Sequence, residues 1–185
     1  MVIEDGGSTG RKATVSSSNR VNVSAKTQPR AFYVSRDDGR AFNAIYDNMT
    51  AAAGDRVAYM KNTSSDRLIV VDVVEFHAAE NVKWKIFSVS GTAADGAAVL
   101  ATNLNLQSGI PANGSYMSGD TPITGLTDIA QIGTHRTPAA ESAFMDFHGA
   151  LILGPGDAIC VEYDAGTTGL CAIEIIHHFE TIGAT

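Results

Sequence analysis

Lysine, arginine and aromatic side chains are scarce in this chain, and long apolar runs are missing. Thirteen Lys and Arg face 20 Asp and Glu over 185 residues, a net charge of −7. Five of those cations (Arg11, Lys12, Arg20, Lys26 and Arg30) fall in residues 1–30 against only Glu4 and Asp5. That stretch therefore carries +3, and the remainder −10. A body this acidic is a poor surface for nucleic acid, whose phosphates are bound mainly by Lys and Arg. No apolar stretch approaches the ~18 residues that a membrane-spanning helix needs. The first seven residues, Met1 to Gly7, lack the basic and apolar regions of a secretory signal, so a soluble, unprocessed protein with no membrane partner is expected.

Cysteine is nearly absent as well. Cys160 and Cys171 lie in consecutive strand-like runs. If Ile159, Val161 and Tyr163 face the same core as Cys171, Ile173 and Ile175, the two thiols point to opposite sides of the sheet. That geometry excludes a disulfide, and free thiols fit synthesis in a reducing cytoplasm.

Motifs that carry chemistry are missing too. The five histidines (His77, His135, His148, His177 and His178) form no H-x-H, H-x-x-x-H or H-E-x-x-H ligand pair. They are expected to be surface or interface residues, with no metal or other cofactor. His177 and His178 should face opposite ways on a strand. Asp146 and His148 stand two apart on one strand face, close enough to hydrogen-bond, but no G-x-S-x-G elbow supplies a nucleophile. Arg36-Asp37-Asp38-Gly39-Arg40 lacks the spacing of a calcium loop and reads as a tight turn. Trp84 belongs to an amphipathic strand pattern and is expected in the core. Nothing in these residues argues for an enzyme.

What the sequence does contain is strands. Candidates are Ala41–Asp47, Asp55–Lys61, Arg67–Phe76, Asn81–Val89, Ala97–Leu104, Ile123–Ile132, Ser142–Leu153, Ala158–Tyr163 and Leu170–Phe179, separated by Gly, Asn, Asp or Pro clusters. Arg67–Phe76 begins as a continuous apolar run and reads as a central strand. Val82, Trp84 and Ile86 alternate with Lys83 and Lys85. Residues 164–169 supply a hairpin loop between the last two strands. Residues 48–54 suit a helical turn or a loop, and 137–141 a short helix. About nine strands without intervening helices indicate an all-β antiparallel sandwich, jelly-roll-like by preference, with an immunoglobulin-like topology second.

Residues 1–30 differ in texture and form an extended N-terminal arm ahead of a sandwich domain at 31–185. Gly6-Gly7-Ser8-Thr9-Gly10 and Ser16-Ser17-Ser18-Asn19 are linker material around two short alternating pieces, 12–15 and 20–24. Neither piece has enough apolar surface to bury anything alone. Chain ends of this kind gain order when something ties them down, so a neighbouring subunit or another protein is expected to hold the arm.

The run from Ile3 through Glu4-Asp5-Gly6-Gly7-Ser8-Thr9-Gly10-Arg11-Lys12-Ala13-Thr14 to Val15, followed by Asn19-Arg20-Val21-Asn22-Val23-Ser24-Ala25, resembles the opening of tailed-bacteriophage virion proteins. Residues 60–66, 101–109 and 153–157 are similar to further pieces of such proteins. The resemblance implies a capsid decoration (cement) protein with a β-sandwich body, a homotrimer on the major capsid protein lattice. In that reading Arg11, Lys12 and Arg20 give electrostatic register against an acidic partner, and Ile3, Val15, Val21 and Val23 are the apolar anchors. A head-fibre or tail component that binds a host-surface glycan is the alternative, and it requires clustered exposed aromatics.

Overall fold

The computed structural model describes residues 2–4, 12–14 and 34–182. The first two segments, β1 (Val2–Glu4) and β2 (Lys12–Thr14), pair antiparallel with Val2 opposite Thr14 and Glu4 opposite Lys12. From Val34 onward the chain is a two-sheet antiparallel sandwich, entered through a π-helical turn at Val34–Asp38.

Eleven strands follow: β3 (Ala41–Ala51), β4 (Asp55–Asn62), β5 (Arg67–Ala78), β6 (Val82–Ala94), β7 (Ala97–Ala98), β8 (Thr102–Asn103), β9 (Gly114–Ser118), β10 (Thr124–Thr137), β11 (Glu141–Leu153), β12 (Ala158–Ala165) and β13 (Gly169–Thr181). One sheet runs β11-β5-β13-β3-β8, the other β10-β6-β12-β4-β9-β7. Without the short β7, β8 and β9, the remaining eight strands have the order of a jelly roll. β3-β13-β5-β11 forms one four-stranded layer and β4-β12-β6-β10 the other. The jelly-roll expectation therefore holds over the immunoglobulin-like one.

Alternation drives this arrangement. Val82, Trp84 and Ile86 of β6 are buried while Lys83 and Lys85 point away, and Ala44 and Tyr46 of β3 repeat the pattern. Both sheets contribute to one core, in which Trp84 stacks on Phe76 at 5.2 Å and meets Tyr163 edge-on at 5.5 Å. Each such side chain contributes roughly 1.5–3 kcal/mol when fully buried. The Trp84 indole N–H donates to the buried Thr137 hydroxyl at 2.9 Å, so the largest core residue leaves no orphan donor. As expected, β5 is interior, lying between β11 and β13.

Several expectations fail, each for a local reason. The 164–169 loop is no hairpin, because β12 and β13 belong to different sheets and the loop crosses the end of the sandwich. The strand expected at 97–104 is reduced to β7 and β8 on opposite sheets, and β9 was not foreseen. Residues 48–51 extend β3 instead of turning; Asn48, at φ 54°, marks a bulge where the register slips between Cys171 and Ile173. Residues 137–141 hold a tight turn, closed by Glu141 N–H donating to Pro138 C=O at 3.3 Å, and no helix. Arg36–Arg40 does form a turn, within and just after the π-helical segment. There Gly39 has φ 61°, and a Cβ would collide with the Ser108 side chain.

Both cysteines are free, as expected, but they lie in different sheets and not on two sides of one. Cys171 faces the main core, whereas Cys160 sits behind the other sheet in a small cluster with Tyr59, Val89, Ile123 and Ala158.

Candidate functional site

Of the arm residues singled out in the sequence, Ile3 lies in β1 opposite Ala13, and Lys12 lies in β2 opposite Glu4. The two therefore share a hairpin that the sequence reading did not contain. Arg11, Val15, Arg20, Val21 and Val23 lie outside the described residues.

The body presents two outer faces of different character. Strands β3, β5, β11 and β13 carry seven carboxylates and a single cation, Arg67 at the start of β5. Strands β4, β6, β10 and β12 carry four carboxylates and five cations. On that second face two of the five cations are held in ion pairs. Lys85 reaches Glu162 at 2.8 Å and Asp164 at 3.0 Å, and these hydrogen bonds raise its pKa. Arg56 reaches Asp128 at 2.7 Å.

The five-stranded face has an excess of acids, met mainly by histidines. Its outward residues form continuous rows across four strands: Ile45–Glu174–Glu75–Phe144, then Asn43–Ile176–Val73–Asp146, then Ala41–His178–Val70–Ile152. Glu174 and Glu75 are direct cross-strand neighbours, a like-charge pair that costs roughly 0.2–1 kcal/mol relative to a neutral one. Glu174 accepts from the Asn43 amide at 2.8 Å, and Glu75 has His77 at 3.4 Å. Apolar side chains are interleaved with these acids: Ile45 is 46% exposed, Phe144 67%, Ile152 51% and Leu170 59%. At one end of the face a groove of about 380 Å³ is lined by Asp47, His77, Glu141, Ser142, Leu170 and Ala172, among others. Acidic groups around an apolar floor suit an extended cationic segment with apolar residues at alternate positions.

Two histidines depart from expectation. His177 and His178 do point opposite ways, but both are buried, at 0% and 2% exposure. His177 faces the core, stacked on Phe42 at 5.8 Å. Its Nδ1 can only donate to the Ile175 carbonyl at 3.3 Å, which leaves Nε2 to accept from the Tyr116 hydroxyl at 2.8 Å. Burial lowers its pKa from the ordinary 6.5 to about 4. His178 faces outward under a lid of acids, with Nδ1 at 2.8 Å from Asp72 and Nε2 at 3.3 Å from Glu180. The buried pair was hidden in the sequence because Tyr116 and Asp72 lie 61 and 106 residues away.

Asp146 and His148 approach within 3.2 Å, as their spacing suggested. His148 sits at φ 49° beside Gly149 at φ 77°, in a bulge of β11, with its ring 84% exposed. Among the described residues no Ser, Thr or Cys hydrogen-bonds to its ring. No cluster of three or more His, Cys, Asp or Glu side chains able to hold a metal occurs among the described residues. No helix of the described residues is long and apolar enough to cross a membrane. Trp84 is fully buried, so it is no sugar platform, and Phe144 alone among the described aromatics is largely exposed. No known protein family, curated protein or solved structure matches this chain.

Proposed function

We propose that this chain is a non-enzymatic structural protein of a tailed-bacteriophage virion. In this reading it is a capsid decoration protein, made in the host cytoplasm and homotrimeric on the head. It binds the major capsid lattice through residues 1–30 and stabilises the shell. The observation that carries the reading is the charge contrast along the chain: residues 1–30 hold five cations against two acids, whereas the remainder carries −10. A cationic leader of this kind suits docking against an acidic partner surface. Short segments that add to a partner by main-chain pairing gain hydrogen bonds from it, while Arg11, Lys12 and Arg20 set register and Ile3, Val15, Val21 and Val23 supply anchors.

The test is a chain lacking residues 1–30, mixed with undecorated heads and sedimented. The shortened protein is expected to unfold cooperatively and to stay in the supernatant. Full occupancy of the heads by the shortened protein would end the docking-arm reading.

A further inference from the structure

We propose that the six-stranded sheet carries, at one end of its outer face, a binding site for a phosphate group borne on a small polar molecule such as a sugar phosphate. The inference does not involve the leader and stands apart from the docking reading.

The site begins with charge that the fold leaves uncompensated. Lys83 of β6 and Arg136 of β10 stand directly opposite each other in an antiparallel pair, which sets their Cβ atoms roughly 5 Å apart on one face of the sheet. Two cations so placed repel each other unless an anion lies between them. The carboxylate on the far side of Lys83 in the same row is Asp164, and it is already engaged: Lys85 holds it at 3.0 Å while also holding Glu162 at 2.8 Å. Among the described residues neither Lys83 nor Arg136 has an ion pair or a side-chain hydrogen bond.

Both side chains line a groove of about 710 Å³, bounded by the turns that join β5 to β6 and β10 to β11 and by the loop after β12. Asn81, Pro138 and Gly166 represent those three connections, and Asp164 is the one acid among the described lining residues. The walls are tied together before any ligand arrives. Ala139 N–H donates to Asn81 Oδ1 at 3.1 Å, Ala140 N–H donates to the Ala78 carbonyl at 3.0 Å, and the Thr137 hydroxyl is held by the Trp84 indole. Rigid walls reduce the ordering cost of binding. With its oxygen engaged, Asn81 keeps its amide N–H groups for a ligand, so the groove offers a guanidinium, an ammonium and a carboxamide donor. That set suits a phosphate monoester, which carries about two negative charges near neutral pH and three acceptor oxygens. A lone carboxylate would neutralise only one of the two cations. The volume falls within the range of pockets that enclose small molecules, which leaves room for whatever carries the phosphate.

Isothermal titration calorimetry on the full-length chain, at about pH 8 and low salt, tests this with glucose 6-phosphate, inorganic phosphate and glucose as probes. Glucose 6-phosphate is expected to bind at a single site with a dissociation constant of about 1 mM or below, and glucose to give no binding heat. Lys83→Gln and Arg136→Gln, which remove the charge and keep a polar side chain, should each weaken binding about tenfold, and the two together should abolish it. Lys61→Gln, on β4 outside the groove, should leave binding unchanged. Because each groove substitution also relieves the Lys83–Arg136 repulsion, neither should lower the melting temperature of the free protein, and a loss of binding is then not a loss of fold. The absence of saturable heat with glucose 6-phosphate, or binding that both substitutions leave unchanged, overturns the proposal. Equal affinity for inorganic phosphate overturns the part that seats the attached sugar. Displacement of glucose 6-phosphate by an oligoglutamate peptide at lower concentration than by inorganic phosphate overturns the small-molecule site in favour of an acidic protein partner.

Discussion

Acid should destabilise this protein through His177. The ring is fully buried between Phe42, Phe179 and Tyr116, and burial lowers its pKa from 6.5 to about 4. In the unfolded chain His177 takes up a proton as the pH falls through 6.5; in the folded chain it resists until about 4. Between those values the unfolded state binds more protons, so stability is fully present above 6.5 and is lost as the pH falls towards 4. A difference of two and a half pKa units corresponds to roughly 3 kcal/mol at the acid end, and about 2 kcal/mol should be lost between about pH 7.5 and about pH 5. Urea titrations monitored by Trp84 fluorescence at those two pH values measure the loss directly. The variant His177→Gln retains an acceptor for the Tyr116 hydroxyl and cannot titrate. It should be less stable at neutral pH by about 1–2 kcal/mol but much flatter in this window. If His177→Gln loses as much stability on acidification as the parent, the buried imidazole is not the source and the argument fails.

Three further outcomes follow from packing. Thr137→Val leaves the Trp84 indole N–H buried without an acceptor and should cost about 1–3 kcal/mol in chemical denaturation, against near neutrality for an exposed Thr→Val such as Thr127→Val. Burial pushes both thiols up to about 12, so Cys160 and Cys171 should be inert to thiol reagents in the native protein and react only on unfolding; rapid native labelling would contradict their placement. Gly119→Ala would set a methyl against the Arg56 carbonyl and 2.8 Å from Val57 Cα, both backbone, and should destabilise by a few kcal/mol. Gly166→Ala, with open space around its Cβ position, serves as the control in the same thermal melt.

The strand pattern was legible wherever one face met the core. Val82, Trp84 and Ile86 against Lys83 and Lys85 fixed β6 without any neighbour, because alternation is a local consequence of the pleat. Legibility failed where a strand is short or bulged. β7 and β8 hold two residues each, too few to show a period, and Asn48 interrupts the alternation of β3. The buried state of His177 and His178 was illegible for another reason: a histidine becomes tolerable in an interior only once distant Tyr116 and Asp72 supply its hydrogen bonds.

The sequence by itself determined the all-β class, the free cysteines, the core position of Trp84 and the excess of cations in the first 30 residues. Tertiary structure alone decided which strands lie side by side. Chain order visits both sheets in turn, so the acids of β3, β5, β11 and β13 are interleaved in sequence with the cations of β4 and β6 and look evenly mixed. Long-range pairing sorts them, setting Glu174 beside Glu75 across 99 positions of chain and leaving one face of the sandwich acidic.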